Sequence, residues 1–422
     1  MKFKKKVLKN GLRIISVPNK DSLAATILVL VEAGSKYETK KINGLSHFLE
    51  HMCFKGTTNR PRAIDISGEL DSLGAQYNAF TGHEYTGYYA KVEARHFDKA
   101  LGIVADLYQN PLFNEKEIEK EKGVVIEEIN MYEDLPQRKV QDLITELLYG
   151  DQPAGWSIAG DKETIKILNR QDFLKYRGEH YVASATTVVV AGKFDERNIV
   201  KKIESEFKAV VHGKKFGKIK TIDTQTKPAV MIRHKKSDQT HLVMAFRTCN
   251  TYDKRNYSLD LLAQVLGGGM SSRLFQRIRE EMGAAYYVRA YNDTYTDHGY
   301  MAIAIGVDNS RVYDVISATI DELKKLKSIE VPAKELQMFK DSAIGGVVLA
   351  LETSDAIANY FGGQEVLKKN IDGPVELAKK LRAVKAKDLM REAKIIFRDN
   401  NINLALIGPF ESSEHFAKIL HI

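Results

Sequence analysis

The sequence predicts an α+β protein of two homologous domains, each a mostly antiparallel sheet with helices packed on one face. Three observations lead to this fold class: the length of the chain, an internal duplication, and strand and helix patterns that are mixed in both halves. At 422 residues the chain is longer than one hydrophobic core usually supports. Strands and helices mixed within each half favour antiparallel sheets with helices segregated to one face.

An internal duplication relates the two halves. The run GAQY at 74–77 recurs as GAAY at 283–286, an offset of 283 − 74 = 209 residues. Both halves also end alike, because an apolar strand pattern is followed by a Gly-x-Phe-acid turn at Gly192 and again at Gly408. The offset here is 408 − 192 = 216 residues. The chain is therefore predicted to be two copies of one unit.

Matching patterns place the elements of each copy. Strand patterns at 24–31 and 240–246 begin the two halves. A tyrosine-rich strand pattern follows each repeat, and a helical pattern follows that strand, at 96–109 and at 310–326.

A segment rich in Lys, Gly and Thr separates the copies at 211–227 and has the composition of a linker. We therefore predict an N-terminal domain at 1–210 and a C-terminal domain at 228–422.

The composition is that of a globular chain without a membrane segment. No apolar run reaches transmembrane length, and the basic start lacks the apolar segment of a secretory signal. The two cysteines, Cys53 and Cys249, do not make a disulfide framework. We therefore predict a cytoplasmic protein with no membrane insertion.

The charge pattern argues against a nucleic-acid partner. The net charge of +8 is spread over scattered lysines, and no basic motif is interleaved with aromatic residues. The glycine-rich run at 267–272 lacks the Gly-Lys-Ser/Thr of a phosphate-binding loop, so it does not indicate a nucleotide site.

The pentapeptide HFLEH at 47–51 is the strongest chemical signal. On a helix, His47 and His51 lie one turn apart on one face and can direct two imidazoles at one metal ion. Glu50 lies near that face and can reach a metal-activated water without being a ligand. This order, H-x-x-E-H, is the inverted form of the zinc-peptidase helix. Taken alone, the pentapeptide also fits two ordinary histidines of a core or surface helix.

The surrounding sequence favours a buried helix. It contains no proline or β-branched residue from 43 to 56, and Gly56 is a natural stop. The apolar residues follow helical spacing at Leu45, Phe48, Leu49 and Met52. The corresponding stretch of the second half, near 257–266, has no histidine, so the second domain is predicted to be metal-free.

A catalytic zinc usually has three protein ligands, so a third must come from elsewhere. The candidate is a helix at 114–131, whose buried face is marked by Ile118, Val125 and Ile129. Helical geometry turns Glu121 and Glu128 towards that face and Glu127 towards solvent. The alternative is that these glutamates only form the acidic flank of a helix that is acidic throughout.

The chain resembles the pitrilysin/insulinase-type metallopeptidases. It is most similar to the short bacterial processing-peptidase branch and to the catalytic subunit of the mitochondrial processing peptidase. The resemblance covers essentially the whole chain and is carried by GLSHFLEHMCFKGT at 44–57, NAFT at 78–81, the helix at 121–131, and the run from SRLF at 272–275 to REEMGAAY at 279–286.

The resemblance implies a role for each matching residue. His47, His51 and Glu128 match the zinc ligands, Glu121 the accessory glutamate, and Glu50 the general base.

Three further residues match positions that contact substrate. Arg279 and Tyr286 match a second-domain pair close to the scissile bond, and Asn78 matches a residue beside the substrate-binding edge strand.

The resemblance also implies an activity. It predicts a zinc endopeptidase or oligopeptidase that binds one Zn²⁺ per chain and cleaves extended peptides or unfolded segments inside the chamber of a homodimer. The alternative is a non-catalytic scaffold or presequence-binding subunit of the same family. Ligand types alone do not separate zinc from cobalt or manganese, and nothing in the sequence selects a substrate sequence.

Overall fold

A computed structural model describes all 422 residues, Met1–Ile422, and has the predicted mixture of strands and helices. The strands are β1 (Lys4–Val7), β2 (Arg13–Pro18), β3 (Ala24–Val31), β4 (Gln76–Thr81), β5 (Thr86–Glu93), β6 (Thr186–Gly192), β7 (Ala229–His234), β8 (Gln239–Thr248), β9 (Ala285–Thr294), β10 (Gly299–Asp308) and β11 (Asn403–Gly408). The helices are α1 (Leu45–Cys53), α2 (Ala63–Ser72), α3 (Phe97–Gln109), α4 (Glu115–Asp134), α5 (Pro136–Tyr149), α6 (Lys162–Ile167), α7 (Arg170–His180), α8 (Ile199–Glu206), α9 (Asn256–Gly267), α10 (Val312–Ser328), α11 (Ala333–Ala350), α12 (Ser354–Lys368), α13 (Pro374–Ala383), α14 (Ala386–Ile396) and α15 (Glu414–Ile419).

The two sheets confirm the duplication. The first has the strand order β1-β2-β6-β3-β5-β4, and the second has the order β7-β11-β8-β10-β9. Without β1, the two orders correspond strand for strand. One pair in each sheet is parallel, β2 with β6 and β7 with β11, and the other pairs are antiparallel. The fold is therefore α+β with two homologous, mostly antiparallel sheets.

The chain divides into two compact units, each discontinuous in sequence. The first unit comprises Met1–Asn130, Trp156–Ile219 and Val348–Gly373. The second comprises Met131–Gly155, Lys220–Val347 and Pro374–Ile422. Each half of the chain thus gives one helix to the unit built mainly by the other half, α12 to the first and α5 to the second. The compact units therefore cross the continuous boundaries at 210 and 228 that the sequence predicts.

In the first unit, both faces of the sheet are covered. Ile27 and Val29 of β3 belong to the main core, which also contains the apolar face of α1. The opposite face receives α12, where a Cβ on Gly362 would lie 2.6 Å from a methyl carbon of Leu30. Glycine at this position allows the helix to lie directly on the strand. The second face thus has a helix that the sequence did not predict there.

The second unit repeats this arrangement. Met244 and Phe246 of β8 pack into a core that also contains residues of α9, α10 and α14. Val243 and Ala245, which point to the other face, pack with Val140 and other residues of α5. Because successive side chains of a strand point to opposite faces of the sheet, alternate residues of β8 pack into two different cores.

The strands β4 and β9 form equivalent edges of the two sheets. Each is preceded by a glycine with a left-handed backbone, Gly74 with φ +61° and Gly283 with φ +58°. These are the first residues of the two repeated sequences, and a side chain would be strained at such a φ.

None of the helices is both long enough and apolar enough to span a bilayer.

Candidate metal centre

Helix α1 begins on a buried carboxylate. Gly44, with φ +96°, is its N-terminal flanking residue. Glu38 accepts hydrogen bonds from the backbone N–H groups of Gly44 (2.8 Å) and Ser46 (2.6 Å) and from the side-chain amide of Asn43 (3.0 Å). The carboxylate thus accepts hydrogen bonds from backbone N–H groups that have no partner within the helix at its first turn. Burial raises the pKa of Glu38 to about 7, although these donors favour its ionised form.

The apolar face of α1 directs its polar residues to the other side. The buried residues of the helix include the predicted stripe and two neighbours, Leu45, Ser46, Phe48, Leu49, Met52 and Cys53. His47, Glu50 and His51 are half-buried. Core packing therefore fixes the rotation of α1 and leaves these three side chains accessible.

Helix α4 faces the site as its periodicity predicts. Val125 and Ile129 are buried, Glu121 is 5% exposed, Glu128 is half-buried, and Glu127 is exposed. The three buried positions lie on one stripe, and this stripe carries Glu121 into the interior.

The side chains of His47, His51 and Glu128 converge. Oε2 of Glu128 lies 3.5 Å from Nε2 of His47 and 3.4 Å from Nε2 of His51. One ligand atom from each residue lies within 4.8 Å of the other two. Zinc–nitrogen and zinc–oxygen bonds of about 2.0–2.1 Å place tetrahedral donors about 3.3 Å apart. The donor set and its spacing therefore fit zinc.

Glu121 supports this group from outside the donor set. Its Oε1 accepts a hydrogen bond from Nδ1 of His51 at 3.0 Å, and its Oε2 lies 2.6 Å from Nζ of Lys55. Burial opposes ionisation of Glu121, but the bonds to His51 and Lys55 outweigh it and lower its pKa. A histidine that ligates a metal through one nitrogen commonly donates from the other to a carboxylate in this way.

The two histidines have opposite electrostatic environments. Burial, reinforced by the neighbouring His51, lowers the pKa of His47 to about 4. Burial also disfavours charge on His51, but hydrogen bonds to Glu121 and Glu128 prevail and raise its pKa to about 9. His47 is therefore neutral at neutral pH, the form in which an imidazole can bind a metal, whereas His51 would have to lose a proton before it could do so.

Glu50 is held by a residue of the neighbouring edge strand. Oγ1 of Thr81, at the end of β4, donates to Oε2 of Glu50 at 2.6 Å. Burial raises the pKa of Glu50, and the hydrogen bond from Thr81 partly offsets this effect. A carboxylate with a raised pKa beside a candidate metal site has the character of a general base.

Of the other predicted residues, Asn78 and Tyr286 lie on the edge strands β4 and β9, and Arg279 lies in a short helix at Phe275–Glu281. Asn78 is exposed on β4, and its side-chain oxygen accepts the backbone N–H of Ala79 at 2.9 Å. In the second unit, the guanidinium of Arg279 lies over the rings of Phe275, at 4.9 Å, and Tyr286, at 5.9 Å. The structure thus brings Arg279 and Tyr286 together in the second unit, with Tyr286 74% exposed.

Three residues at the site are absent from the sequence predictions: Glu38, Lys55 and Thr81. Lys55 carries a local signal, because it follows His51 by four residues. Thr81 and Glu38 reach α1 only through tertiary packing and a loop, which sequence spacing does not reveal.

Two family models cover most of the chain. The model described as "Insulinase (Peptidase family M16)" matches residues 13–162, and the model described as "Peptidase M16 inactive domain" matches residues 168–342. The first matched segment contains the whole donor cluster, and the second, which begins in the first half of the chain and covers much of the second half, contains none of the three donors. The chain belongs to the M16, or insulinase, family of peptidases, which confirms the resemblance seen in the sequence.

Individual relatives agree along nearly their whole length. The uncharacterized zinc protease YmxG of Bacillus subtilis is 36% identical over 96% of this chain and 98% of its own. A protease from Helicobacter pylori shares the fold with a TM-score of 0.91 at 23% identity, over 97% of this chain and 99% of its own. A chain of complex III from Candida albicans also shares the fold, with a TM-score of 0.85 at 17% identity, over 99% of this chain and 100% of its own.

Proposed function

We propose that this chain is a zinc-dependent peptidase that hydrolyses extended peptides or unfolded segments, with one zinc ion bound by His47, His51 and Glu128. The observation that carries the proposal is the convergence of these three donors beside Glu50. An accidental cluster would not be expected to place two imidazoles, a carboxylate ligand and a carboxylate base on two facing helices. Relatives named zinc proteases give independent support.

When bound, zinc supplies Lewis-acid chemistry, which acidifies water and polarises a peptide carbonyl. Glu50 then acts as the general base, taking a proton from water and returning it to the leaving amine. Glu121 keeps the imidazole of His51 oriented through Nδ1, which leaves Nε2 directed at the ligand position.

Substrate binding involves the edge strand β4. An extended peptide can add to such an edge through backbone hydrogen bonds. The side-chain oxygen of Asn78 already accepts a hydrogen bond from the N–H of Ala79. A peptide that pairs with this N–H must therefore displace the Asn78 oxygen or share the N–H with it. We retain Arg279 and Tyr286 as further substrate contacts, in keeping with their exposure and mutual packing.

A homodimer and a cytoplasmic location complete the proposal. A chain of two domains is short for enclosing a chamber, and this chain carries both the zinc donors and the Arg279/Tyr286 pair, so two identical chains suffice. Cys53 and Cys249 are both free thiols, in keeping with a reducing compartment.

The alternative function is that of a non-catalytic scaffold or presequence-binding subunit. The fold shared with a chain of complex III is compatible with this alternative. The full set of His47, His51 and Glu128 together with Glu50 favours the enzyme. A scaffold has no chemical need for this set.

The proposed function is tested with a mixed peptide library, digested by the zinc-loaded protein and by Glu50→Gln, with cleavage sites identified by mass spectrometry. Glu127→Gln is the matched control, because Glu127 is an exposed neighbour of Glu128 on the same helix. We expect cleavage by the wild type and by Glu127→Gln and none by Glu50→Gln, with equal zinc content in all three. Cleavage by Glu50→Gln, or zinc-loaded wild type without activity, would contradict the proposal.

A further inference from the structure

The hydroxyl of Thr81 and the carboxylate of Glu50 are joined across 31 positions of the chain by a hydrogen bond of 2.6 Å. Glu50 lies in the second turn of α1, and Thr81 is the last residue of β4. The bond therefore links the helix that carries two of the metal donors to the edge strand beside it.

The bond constrains a side chain that is otherwise flexible. Glutamate has three rotatable torsions, and a general base must stay within hydrogen-bond reach of the proton that it takes. Thr81 holds Oε2, so the carboxylate turns only about that contact and Oε1 is left to act as the base. Threonine suits this position because its β-branched side chain has a stiff first torsion.

We propose that Thr81 is a positioning residue for the general base, and that it makes the orientation of Glu50 depend on the strand along which a peptide binds. The inference rests on the proposed function of Glu50. Thr81 lies three residues after Asn78 on β4, so a peptide paired with this strand is held by the same strand that holds the base. Thr81 itself touches neither metal nor substrate in this scheme.

The sheet offers a matched control for this contact. Thr86 of β5 is the cross-strand partner of Thr81, and its hydroxyl donates to the backbone oxygen of Ala33 at 2.9 Å. Replacing Thr86 with valine therefore removes one threonine hydroxyl and one hydrogen bond from the same place in the sheet, but leaves Glu50 bonded.

The test compares zinc-loaded wild type with Thr81→Val, Thr81→Ser and Thr86→Val on one extended peptide. We expect Thr81→Val to lower kcat by about 10- to 100-fold, with KM and the zinc Kd unchanged. We expect Thr81→Ser, which keeps the hydroxyl, to restore kcat to within about threefold, and Thr86→Val to keep wild-type kcat. A wild-type kcat for Thr81→Val would overturn the proposal. Equal losses in Thr81→Val and Thr86→Val, or a loss in Thr81→Ser as deep as in Thr81→Val, would also overturn it.

A second measurement needs no activity and separates this inference from the proposed function. In the zinc-free protein, Thr81→Val should lower the urea midpoint of unfolding, and it should have no such effect in a Glu50→Ala background. Equal shifts in both backgrounds would show that the hydroxyl does not act through Glu50. If the wild type cleaves no peptide but this coupling is present, the contact stands and the proposed function fails.

Discussion

The imidazole of His51 donates from Nδ1 to Oε1 of Glu121 across 3.0 Å, while Lys55 lies 2.6 Å from the other oxygen of the same carboxylate. This chain of contacts begins at a candidate zinc donor and ends at a cation that is partly exposed. It keeps Glu121 ionised in a buried position, because an unpaired buried carboxylate would be costly.

Replacing Glu121 with glutamine should therefore weaken zinc binding. We expect the zinc Kd to rise about 10- to 100-fold, because His51 loses a charged acceptor and its orientation is less fixed. Competition with a chromophoric chelator measures this. Glu119→Gln is the control, since Glu119 lies on the same helix and is exposed. A zinc Kd that is unchanged in Glu121→Gln would refute a supporting role for this residue.

The carboxylate of Glu38 should stabilise the start of α1. We expect Glu38→Gln to lower the free energy of unfolding by about 2 kcal/mol, because an amide cannot accept from all the donors that now meet both carboxylate oxygens. Urea unfolding followed by circular dichroism measures the loss. Unchanged stability would show that the cap is dispensable.

Two glycines should respond to alanine in opposite directions. Gly44 has φ +96°, and a Cβ there would lie 2.6 Å from the backbone oxygen of Ala159, so Gly44→Ala should be strongly destabilising. Gly123 lies inside α4, and no neighbouring side chain comes within 4 Å of the position that a Cβ would take, so Gly123→Ala should stabilise the protein by about 1 kcal/mol. Thermal unfolding of both variants tests this, and destabilisation by Gly123→Ala would contradict it.

His180 should make the protein sensitive to acid. Its ring packs 4.4 Å from that of Tyr176 and 5.5 Å from that of Tyr37, and its Nδ1 has no partner. Burial lowers its pKa to about 4 from an ordinary value of 6.5. Below pH 6.5 His180 thus binds a proton in the unfolded chain but stays neutral in the folded chain. The free energy of unfolding therefore falls as the pH drops towards 4.

This loss amounts to at most about 3 kcal/mol for the single group. His180→Phe should reduce the loss of stability between pH 6.5 and pH 4, whereas His212→Gln, at an exposed position, should keep the wild-type profile. Urea unfolding over this pH range is the measurement. Parallel profiles for wild type and His180→Phe would exclude His180 as the source.

Much of the site follows from local periodicity. The spacing of His47 and His51 puts both on one helical face, and the stripe of Ile118, Val125 and Ile129 distinguishes the half-buried Glu128 from the exposed Glu127. Both inferences need only the 3.6-residue repeat of one helix, which each segment encodes within itself. The duplication can also be recognised from the sequence alone, because each copy repeats the same turn and strand patterns.

The sequence by itself thus determined the fold class, the two related halves and the residue types that can hold a metal. Only the tertiary structure decided that Thr81 bonds Glu50, that Glu38 caps α1, and that α5 and α12 each pack on the sheet built mainly by the other half of the chain. The Thr81–Glu50 bond joins residues 31 positions apart, α5 and α12 pack on sheets built mainly from distant parts of the chain, and Glu38 reaches α1 through a loop with no helical spacing to reveal it. The formation of these contacts depends on how whole elements pack, and an amphipathic pattern shows that a face is buried without showing which surface covers it.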